Sequence, residues 1–412
     1  MLKRIGVQSL RLGMHIQEFC GSWMEHPFWR TSFLLNSEKD LAQIRDSSIT
    51  ELWIDVAKGL DVAESDATVK TREQQDKEVE RQFQQADESV RTPMEAELRQ
   101  AAKVCAESKE AVVSMFHEVR MGKAIDAERA LPLVENIASS IARNPGALIS
   151  LARLKTADDY TYMHSVAVSG LMIALARQLD FGEKDTHLAG LGGLLHDVGK
   201  MAIPNAVLNK PGKLTDEEFA LMKTHPVEGH RMLQDARAVP EVAMDVCLHH
   251  HEKIDGSGYT ERLQEGGISL FARMGAVCDV YDAITSDRPY KAGWDPAEAM
   301  RRMAEWSKGH FDEKVFQAFV RALGIYPVGS LVRLASGRLG VIVEQSSKSL
   351  VTPKVKVFYS TKSNVRLAPQ LIDLRYAEQG EKIVAREDPQ KWNFPDLTSL
   401  WLDPELARAS RG

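Results

Sequence analysis

The segment from Tyr160 to Leu179 is the feature that most restricts the fold of this chain. Its side chains are apolar on nearly every side of a helix and include Val166, Leu171 and Leu175. A helix that has no polar face needs apolar partners all around it. The segment therefore predicts a buried helix at the centre of a larger helical assembly.

Helical spacing of apolar residues continues around this segment, and no long alternating run interrupts it between residues 145 and 324. Thr215 and Glu218 form a capping-box pattern, in which each side chain can bond to the backbone of the other residue. Other helices are expected over 188–196, from Pro226, from Pro240, and over 268–285, 296–306 and 312–323. This stretch is therefore predicted to be all-α.

The sequence changes character on both sides of the helical stretch. Short alternating runs and one short helix come first, and they are followed by a run rich in charge and glutamine. The C-terminal part carries three alternating runs separated by turns, which is typical of strands. The fold class is therefore mainly α. The predicted domains are 1–65 (a small α+β module), 66–135 (a charged helical linker region), 136–325 (the helical domain) and 326–412 (a small β-rich region).

Composition excludes several classes of protein. With 412 residues, of which 44% are hydrophobic and 27% charged, the chain is not wholly disordered, collagenous or a coiled coil. A formal net charge of −6 argues against a binder of nucleic acid polymers. No apolar run approaches the about 20 residues that span a bilayer, and the first residues contain no signal-peptide core. Four scattered cysteines without a CxxC spacing fit a reducing compartment, so a cytoplasmic protein is expected.

Histidine is concentrated in the predicted helical domain, where eight of the 12 histidines lie between residues 164 and 251. His196 and Asp197 are adjacent, and neighbouring side chains on a helix point about 100° apart. The pair can therefore hold two different metals, with the carboxylate between them. Imidazole together with carboxylate suits iron, manganese, nickel or zinc. A lone His-Asp pair, however, is more often a surface hydrogen bond than a metal site.

Other apolar segments supply side chains of the same kind. His164 lies in the central helix and His225 ends a later one. His250 and His251 end another helix, and Asp279 lies among apolar residues, where an unpaired carboxylate would be costly. One buried histidine is usually a core residue with a hydrogen-bond partner. Several apolar helices that each supply a buried histidine or aspartate need a common partner, and a metal centre is the simplest one.

Five short motifs lie in this part of the chain. They are 196–200 (HDVGK), 208–215 (LNKPGKLT), 222–226 (MKTHP), 250–259 (HHEKIDGSGY) and 279–291 (DVYDAITSDRPYK). Through them residues 155–324 resemble an HD-GYP domain, the bacterial branch of the HD phosphohydrolases that cleaves cyclic di-GMP. Residues 10–16 (LRLGMHI) resemble an uncharacterised domain that often precedes HD-GYP domains.

The resemblance implies an all-helical HD-type bundle that hydrolyses cyclic di-GMP to pGpG with two divalent transition metals, iron or manganese. Onward hydrolysis to GMP is left open. The family's metal ligands fall on His164, His196, Asp197, His225, His250, His251 and Asp279, with Asp197 bridging. Catalytic roles fall on Asp197 and on Lys200, a lysine near the scissile phosphate. The implied partners are cyclic di-GMP and GGDEF-domain proteins, while the oligomeric state is left open.

The resemblance also implies a set of contacts to the dinucleotide. They fall on Tyr259, Asp282, Arg288 and Lys291. Arginine and lysine can neutralise phosphate groups, and a tyrosine offers ring area and a hydroxyl. A basic turn that is simply solvated remains the alternative for Arg288 and Lys291.

Two positions depart from the family pattern. The family's Gly-Tyr-Pro is Gly258-Tyr259-Thr260 here, so the tyrosine remains while the backbone restriction of proline is lost. Members with three metals have a glutamate four residues before the first histidine, and Tyr160 stands at that position, so two metals are expected. Two other functions remain open: a non-catalytic cyclic di-GMP sensor or interaction protein, and a general HD nucleotide phosphohydrolase.

Overall fold

The computed structural model describes residues 2–20, 33–45, 51–61, 92–155, 160–286, 293–346, 349–377, 380–403 and 405–406. The chain divides into two compact units, Met1–Ser89 and Val90–Gly412. Among the described helices, none combines the length and the apolar composition that crossing a bilayer requires.

Within its described residues, the first unit is an antiparallel sheet packed with a helix, as the sequence predicts. Its elements are β1 (Leu2–Gly6), β2 (His15–Cys20), β3 (Phe33–Leu34), α1 (Glu38–Arg45) and β4 (Glu51–Asp55), and the strand order is β1-β4-β2-β3. Leu10, Met14 and Ile16 are fully buried and pack with Ile44 of α1. The small α+β module is thereby confirmed.

The second unit is built mainly from helices. In chain order they are α2 (Met94–Arg120), α3 (Leu131–Arg143), α4 (Pro145–Ala152), α5 (Tyr160–Gln178), α6 (Glu183–Leu195), α7 (Asn205–Leu208), α8 (Asp216–Met222), α9 (His225–Gln234), α10 (Glu241–His249), α11 (Leu270–Thr285), α12 (Pro296–His310) and α13 (Glu313–Leu323). The all-helical bundle expected for this part is confirmed. Helix α6 begins five residues before the predicted start at 188, with Glu183 and Asp185 near its positive N-terminal end.

Helix α5 is the buried centre of the bundle. Every residue from 163 to 176 is buried, and α2, α4, α6, α11 and α13 pack around the helix. Two glycines let α6 approach closely: a Cβ on Gly193 would lie 2.9 Å from backbone atoms of Ser169, and one on Gly190 would lie 2.6 Å from Ile173. This contact brings the end of α6, where His196 lies, next to His164 on α5.

A second close contact fixes the segment after α6. Val198–Ala202 forms a 3₁₀ turn that packs on α9, because Gly199 and Gly229 have no side chains to keep the two backbones apart. The capping box of Thr215 and Glu218 at the start of α8 is confirmed. The packing of the 3₁₀ turn places Asp197 beside the first residue of α9, His225.

Helix α2 belongs to the same core as α3 to α6. Val112 and Phe116 of α2 are fully buried there. This part of the predicted linker region 66–135 is therefore a packed bundle helix rather than a linker. The four domain boundaries themselves stay a prediction.

The C-terminal part is a five-stranded antiparallel sheet of order β8-β7-β6-β5-β9. Its elements are β5 (Leu331–Leu334), β6 (Arg338–Glu344), β7 (Lys354–Ser360), β8 (Val365–Asp373), β9 (Ile383–Arg386) and α14 (Pro389–Trp392). Leu331, Leu339 and Phe358 join the bundle core, so this region packs on the helices. The small β-rich region is confirmed, and β8 and β9 add to the three strands that the sequence predicts.

Candidate metal centre

Several helix ends bring histidine and aspartate side chains to one buried place. His164 lies on α5, His196 and Asp197 follow α6, and Asp279 lies on α11. The expectation that His225 ends a helix is wrong: α8 ends at Met222, and His225 begins α9 with Pro226 in its first turn. His250 and His251 directly follow α10. All but His251 are at most 7% exposed, and His251 is half-buried. The structure thus brings together the seven side chains that the sequence assigns to the metals: His164, His196, Asp197, His225, His250, His251 and Asp279.

The side chains form two groups on either side of Asp197. In one group, nitrogen or oxygen atoms of His164, His196 and Asp279 lie within 4.8 Å of one another. In the other, the same holds for His225, His250 and His251. Each group contains enough nitrogen and oxygen donors to hold one cation.

The two oxygens of Asp197 face different groups. Oδ2 lies 3.3 Å from Nε2 of His164 and 3.3 Å from Nε2 of His196. Oδ1 lies 3.2 Å from Nε2 of His225 and 3.9 Å from Nε2 of His250. A carboxylate in this position can bridge two cations, one in each group.

Backbone carbonyls set the orientation of three histidine rings. Nδ1 of His196 lies 2.8 Å from the Gly193 oxygen, and Nδ1 of His225 lies 2.8 Å from the Met222 oxygen. Nδ1 of His250 lies 3.0 Å from a carbonyl oxygen of α10. A carbonyl can only accept, so each Nδ1 carries a proton and each ring turns its Nε2 toward the centre. Metal-binding histidines usually have this arrangement.

The distances between the inner histidine nitrogens suit a cation that lies between them. Nε2 of His225 and Nε2 of His250 lie 3.3 Å apart, and so do those of His164 and His196. Two such nitrogens repel each other through their lone pairs unless a proton or a metal cation lies between them. Within the described part of the chain, Oδ1 of Asp197 is also buried without a hydrogen-bond partner. The donor set is suited to divalent iron, manganese, nickel or zinc.

The centre holds its groups in states suited to metal binding. Burial raises the pKa of Asp197, but His196 and Lys200 outweigh it and leave that pKa well below the usual value. Burial and the neighbouring histidines lower the pKa of His250 well below its usual value, and burial lowers the pKa of His251 to about 3. The aspartate is therefore charged and these two rings are neutral near pH 7.

His164 is the exception among the histidines. Burial lowers its pKa, but Asp197, Asp279 and Asp282 outweigh burial and raise the pKa to about 10. Without a metal, a proton on this ring partly offsets the negative charge of the three carboxylates. A divalent cation can take over that role.

Asp282 contacts the Nδ1 side of the His164 ring, whereas Asp197 and Asp279 contact the Nε2 side. Its Oδ2 lies 2.6 Å from Nδ1 of His164 and pairs with the ammonium of Lys155, and its Oδ1 lies 3.3 Å from the Ser286 hydroxyl. Asp282 is 2% exposed. Both oxygens have partners inside the protein, so this arrangement argues against the predicted substrate contact and favours a role in orienting His164.

Lys200 and Tyr259 border the centre. The Lys200 ammonium pairs with Oδ2 of Asp197. The Tyr259 ring stacks on His251, with 4.7 Å between the ring centroids. Burial, together with Asp279 and Asp197, raises the pKa of Tyr259, so its hydroxyl stays protonated and can donate. The predicted dinucleotide contacts Arg288 and Lys291 lie outside the described residues.

The structure adds three side chains to which the sequence assigned no role. Lys155 is buried beside Asp282, and Glu252 is buried beneath the loop that carries Tyr259. The Lys223 ammonium lies 5.5 Å from the centroid of the Tyr259 ring. Glu252 and Lys223 belong to the motifs quoted above, but a motif does not identify tertiary partners. Lys155 lies nine residues before His164, and no pattern links the two.

Comparisons with known proteins agree with this geometry. Residues 133–315 match the family model of the HD domain. Residues 2–130 match the model named Domain of unknown function (DUF3391). The predicted pairing of an HD-type domain with an uncharacterised N-terminal domain is thereby confirmed.

Curated relatives with similar sequences include three phosphodiesterases. Cyclic di-GMP phosphodiesterase PA4108 of Pseudomonas aeruginosa is 56% identical over 97% of this chain and 96% of its own length. Cyclic di-GMP phosphodiesterase response regulator RpfG of Xanthomonas campestris is 36% identical over 47% of this chain and 53% of its own. 3'3'-cGAMP-specific phosphodiesterase 1 of Vibrio cholerae is 36% identical over 39% of this chain and 38% of its own. The chain therefore belongs to the HD-GYP family of HD-domain proteins.

Proposed function

We propose that this chain is a cyclic di-GMP phosphodiesterase that opens the cyclic dinucleotide to linear pGpG at a centre of two divalent metals. The position of Asp197 carries the proposal, because its two oxygens face two separate groups of ligand side chains. One group is His164, His196 and Asp279, and the other is His225, His250 and His251. Identity of 56% to a relative named for this activity, over almost the whole of both chains, supports the substrate.

Each proposed role follows from the placement of a side chain. Two divalent metals held by these groups would supply an activated water nucleophile and would polarise the phosphodiester. Lys200 lies at the edge of the centre beside Asp197, where its ammonium can neutralise charge on the phosphate or protonate the leaving ribose oxygen. Tyr259 presents a ring and a protonated hydroxyl on the His251 side, and both can contact the dinucleotide.

The remaining features of the proposal rest on chemistry and family resemblance. The mixed histidine and carboxylate donor set suits iron, manganese, nickel or zinc, and the family resemblance favours iron or manganese among them. Tyr160 in place of a carboxylate favours two metals rather than three. Arg288 and Lys291 are proposed to hold the phosphate and guanine ends of the substrate. We also propose a cytoplasmic protein with GGDEF-domain proteins as partners.

The complete ligand sets favour an enzyme over a non-catalytic cyclic di-GMP sensor. A sensor needs the dinucleotide contacts but has no need for seven converging ligand side chains. A general nucleotide phosphohydrolase has the ligands, but the motifs at 250–259 and 279–291 resemble those of cyclic dinucleotide enzymes. Turnover of cyclic di-GMP by metal-reconstituted protein separates an enzyme from a sensor, and comparison of its kcat/KM with that for a dNTP separates the two enzymes.

The deciding experiment combines metal analysis with turnover in Asp197→Asn. An amide is a much weaker metal ligand than a carboxylate, so both metals should be depleted and hydrolysis of cyclic di-GMP abolished. His225→Ala changes one group alone and should deplete mainly one metal. Asp235→Asn is the matched control, because Asp235 is exposed at the end of α9. Full metal content and activity in Asp197→Asn would end the proposal.

A further inference from the structure

The loop after the proposed ligand His251 is held by a single buried carboxylate. Glu252 is 2% exposed, and its two oxygens accept hydrogen bonds from four consecutive backbone N–H groups. The donors are Thr260 (2.9 Å), Glu261 (2.7 Å), Arg262 (3.0 Å) and Leu263 (3.1 Å). Bonds to a charged acceptor are stronger than neutral ones, so Glu252 fixes the path of this loop.

Thr260 adds a second attachment. Its hydroxyl donates to the Leu248 carbonyl at 2.9 Å, and its N–H donates to Glu252. A proline at this position could form neither bond and would restrict the backbone through its fixed φ angle instead. Thr260 therefore restrains the loop by hydrogen bonding where the family pattern uses the proline ring.

The attached loop places the Tyr259 ring on the ring of His251, a proposed metal ligand. The Tyr259 N–H donates to the His251 carbonyl at 3.3 Å, and the two rings stack with an interplanar angle of 24°. A Cβ on Gly258 would lie 2.5 Å from the Lys253 nitrogen, so only glycine permits this close return of the chain. Arg262 has a φ of 59°, a left-handed value that disfavours side chains. The bonds to Glu252 offset that cost.

We propose that Glu252 and Thr260 form a clasp that holds Tyr259 in its stacked position, so that both are positioning residues for substrate binding. This inference rests on the proposed function, because Tyr259 is positioned for the dinucleotide. The carboxylate of Glu252 accepts from the loop backbone and belongs to neither group of proposed ligands. Loss of the clasp should therefore weaken substrate binding and leave metal content intact.

The first test is Glu252→Gln. The amide replaces one acceptor oxygen with an NH₂ group, which must then face N–H donors. Hydrogen exchange of the amides of residues 260–263 should become about tenfold faster or more, and KM for cyclic di-GMP should rise by about tenfold or more. Bound metal should stay at the wild-type level. Glu265→Gln is the matched control, because its side chain is 65% exposed and lies just beyond the clasp.

The second test uses Thr260, whose substitutions are milder and keep the proposal open to refutation if Glu252→Gln does not fold. Thr260→Val deletes the hydroxyl bond to Leu248 and should raise KM, whereas Thr260→Ser keeps that bond and should restore the wild-type value. Thr260→Gly removes the bond and loosens the backbone. Thr260→Pro restricts the loop backbone through the fixed φ angle of proline instead of through hydrogen bonds. Its KM for cyclic di-GMP should therefore lie closer to the wild-type value than that of Thr260→Gly.

Three results would overturn the clasp. One is unchanged amide exchange and unchanged KM in Glu252→Gln. Another is loss of metal from that variant with KM unaffected, which would place Glu252 in the metal centre. The third is equal KM values for Thr260→Pro and Thr260→Gly. Failure of the proposed function is distinguishable, because wild-type protein would then not hydrolyse cyclic di-GMP, while amide exchange would still report on the clasp.

Discussion

Oδ2 of Asp282 lies 2.6 Å from Nδ1 of His164, deep inside the helical bundle. The ammonium of Lys155 pairs with the same carboxylate, and both side chains are buried. The carboxylate accepts from Nδ1 and thereby directs Nε2 of His164 toward Asp197 and Asp279. Lys155 keeps the buried Asp282 from being an uncompensated charge, which would be costly.

Removal of the Lys155 charge should therefore weaken metal binding, although Lys155 is not itself one of the proposed ligands. Lys155→Met keeps the length of the side chain but leaves Asp282 without its cation, so the carboxylate is free to move from His164. Loss of such an outer partner typically costs about 10- to 100-fold in metal affinity. Competition with a chelator, followed by metal analysis, measures the change.

A matched lysine substitution controls for general destabilisation. Lys354→Met removes an ion pair to Glu344 in the C-terminal sheet, where the two groups lie 2.8 Å apart. We expect wild-type metal affinity in this variant. Equal affinities in Lys155→Met and Lys354→Met would show that the buried pair does not orient His164.

The surroundings of Tyr160 determine whether a third cation can bind beside His164. Its ring stacks on the His164 ring with a centroid distance of 5.7 Å, and the Lys155 ammonium lies 5.3 Å from the Tyr160 centroid. A third cation at this position would meet a positive charge and no carboxylate from residue 160. Anomalous scattering from crystals of the metal-loaded protein should show two peaks. A well-occupied third peak near Tyr160 would contradict this expectation.

The central part of the site was within reach of sequence reasoning. Apolar residues on every face of 160–179 predicted the buried helix, and the histidine motifs predicted which side chains meet there. Helix starts were predicted well where a cap or a proline marks them, as at Thr215 and Pro240. These signals come from residues that are close together in the chain, so a single sequence is enough to recognise them.

Tertiary relationships were harder to predict. Asp279 and Asp282 lie three residues apart on one helix. Only the packing of α11 shows that Asp279 lies beside Nε2 of His164, among the proposed ligands, while Asp282 lies beside Nδ1. The partners of Glu252 are backbone groups, which leave no residue pattern. Strand β8 is largely exposed from Val365 to Gln370, so it lacks the alternation that marks a half-buried strand.

Acid should weaken the ion pairs that Glu298 makes within α12 and with the C-terminal sheet. Arg301 donates to Glu298 of α12, and with Arg302 and Arg386 of β9 it lowers the pKa of Glu298 from 4.5 to about 2, although burial opposes the shift. The folded-state pKa is thus below the unfolded one. The resulting stabilisation is present in full above about pH 4.5 and is lost as the pH falls toward 2.

Glu298→Gln should lower the free energy of unfolding at pH 7 by on the order of 1 kcal/mol, because the ion pairs are partly exposed. The difference from wild type should shrink as the pH falls from 4.5 toward 2. Denaturant unfolding across this range measures it, and Glu344→Gln in the sheet serves as the control. A difference that is independent of pH would show that the Glu298 charge contributes nothing.

Arg288 should determine how well the enzyme selects cyclic di-GMP. It follows α11, the helix of the proposed ligand Asp279, in sequence, and the family resemblance implies that it contacts the dinucleotide rather than the metals. Arg288→Ala removes a charge-assisted contact of about 1.5–3 kcal/mol, which corresponds to roughly a 10- to 100-fold loss in kcat/KM. Metal content should not change.

We expect the loss for cyclic di-GMP to exceed that for 3′3′-cGAMP, a dNTP or a simple phosphodiester, whereas a general phosphohydrolase would lose activity on all of them equally. An unchanged kcat/KM for cyclic di-GMP would identify Arg288 as a solvated turn residue.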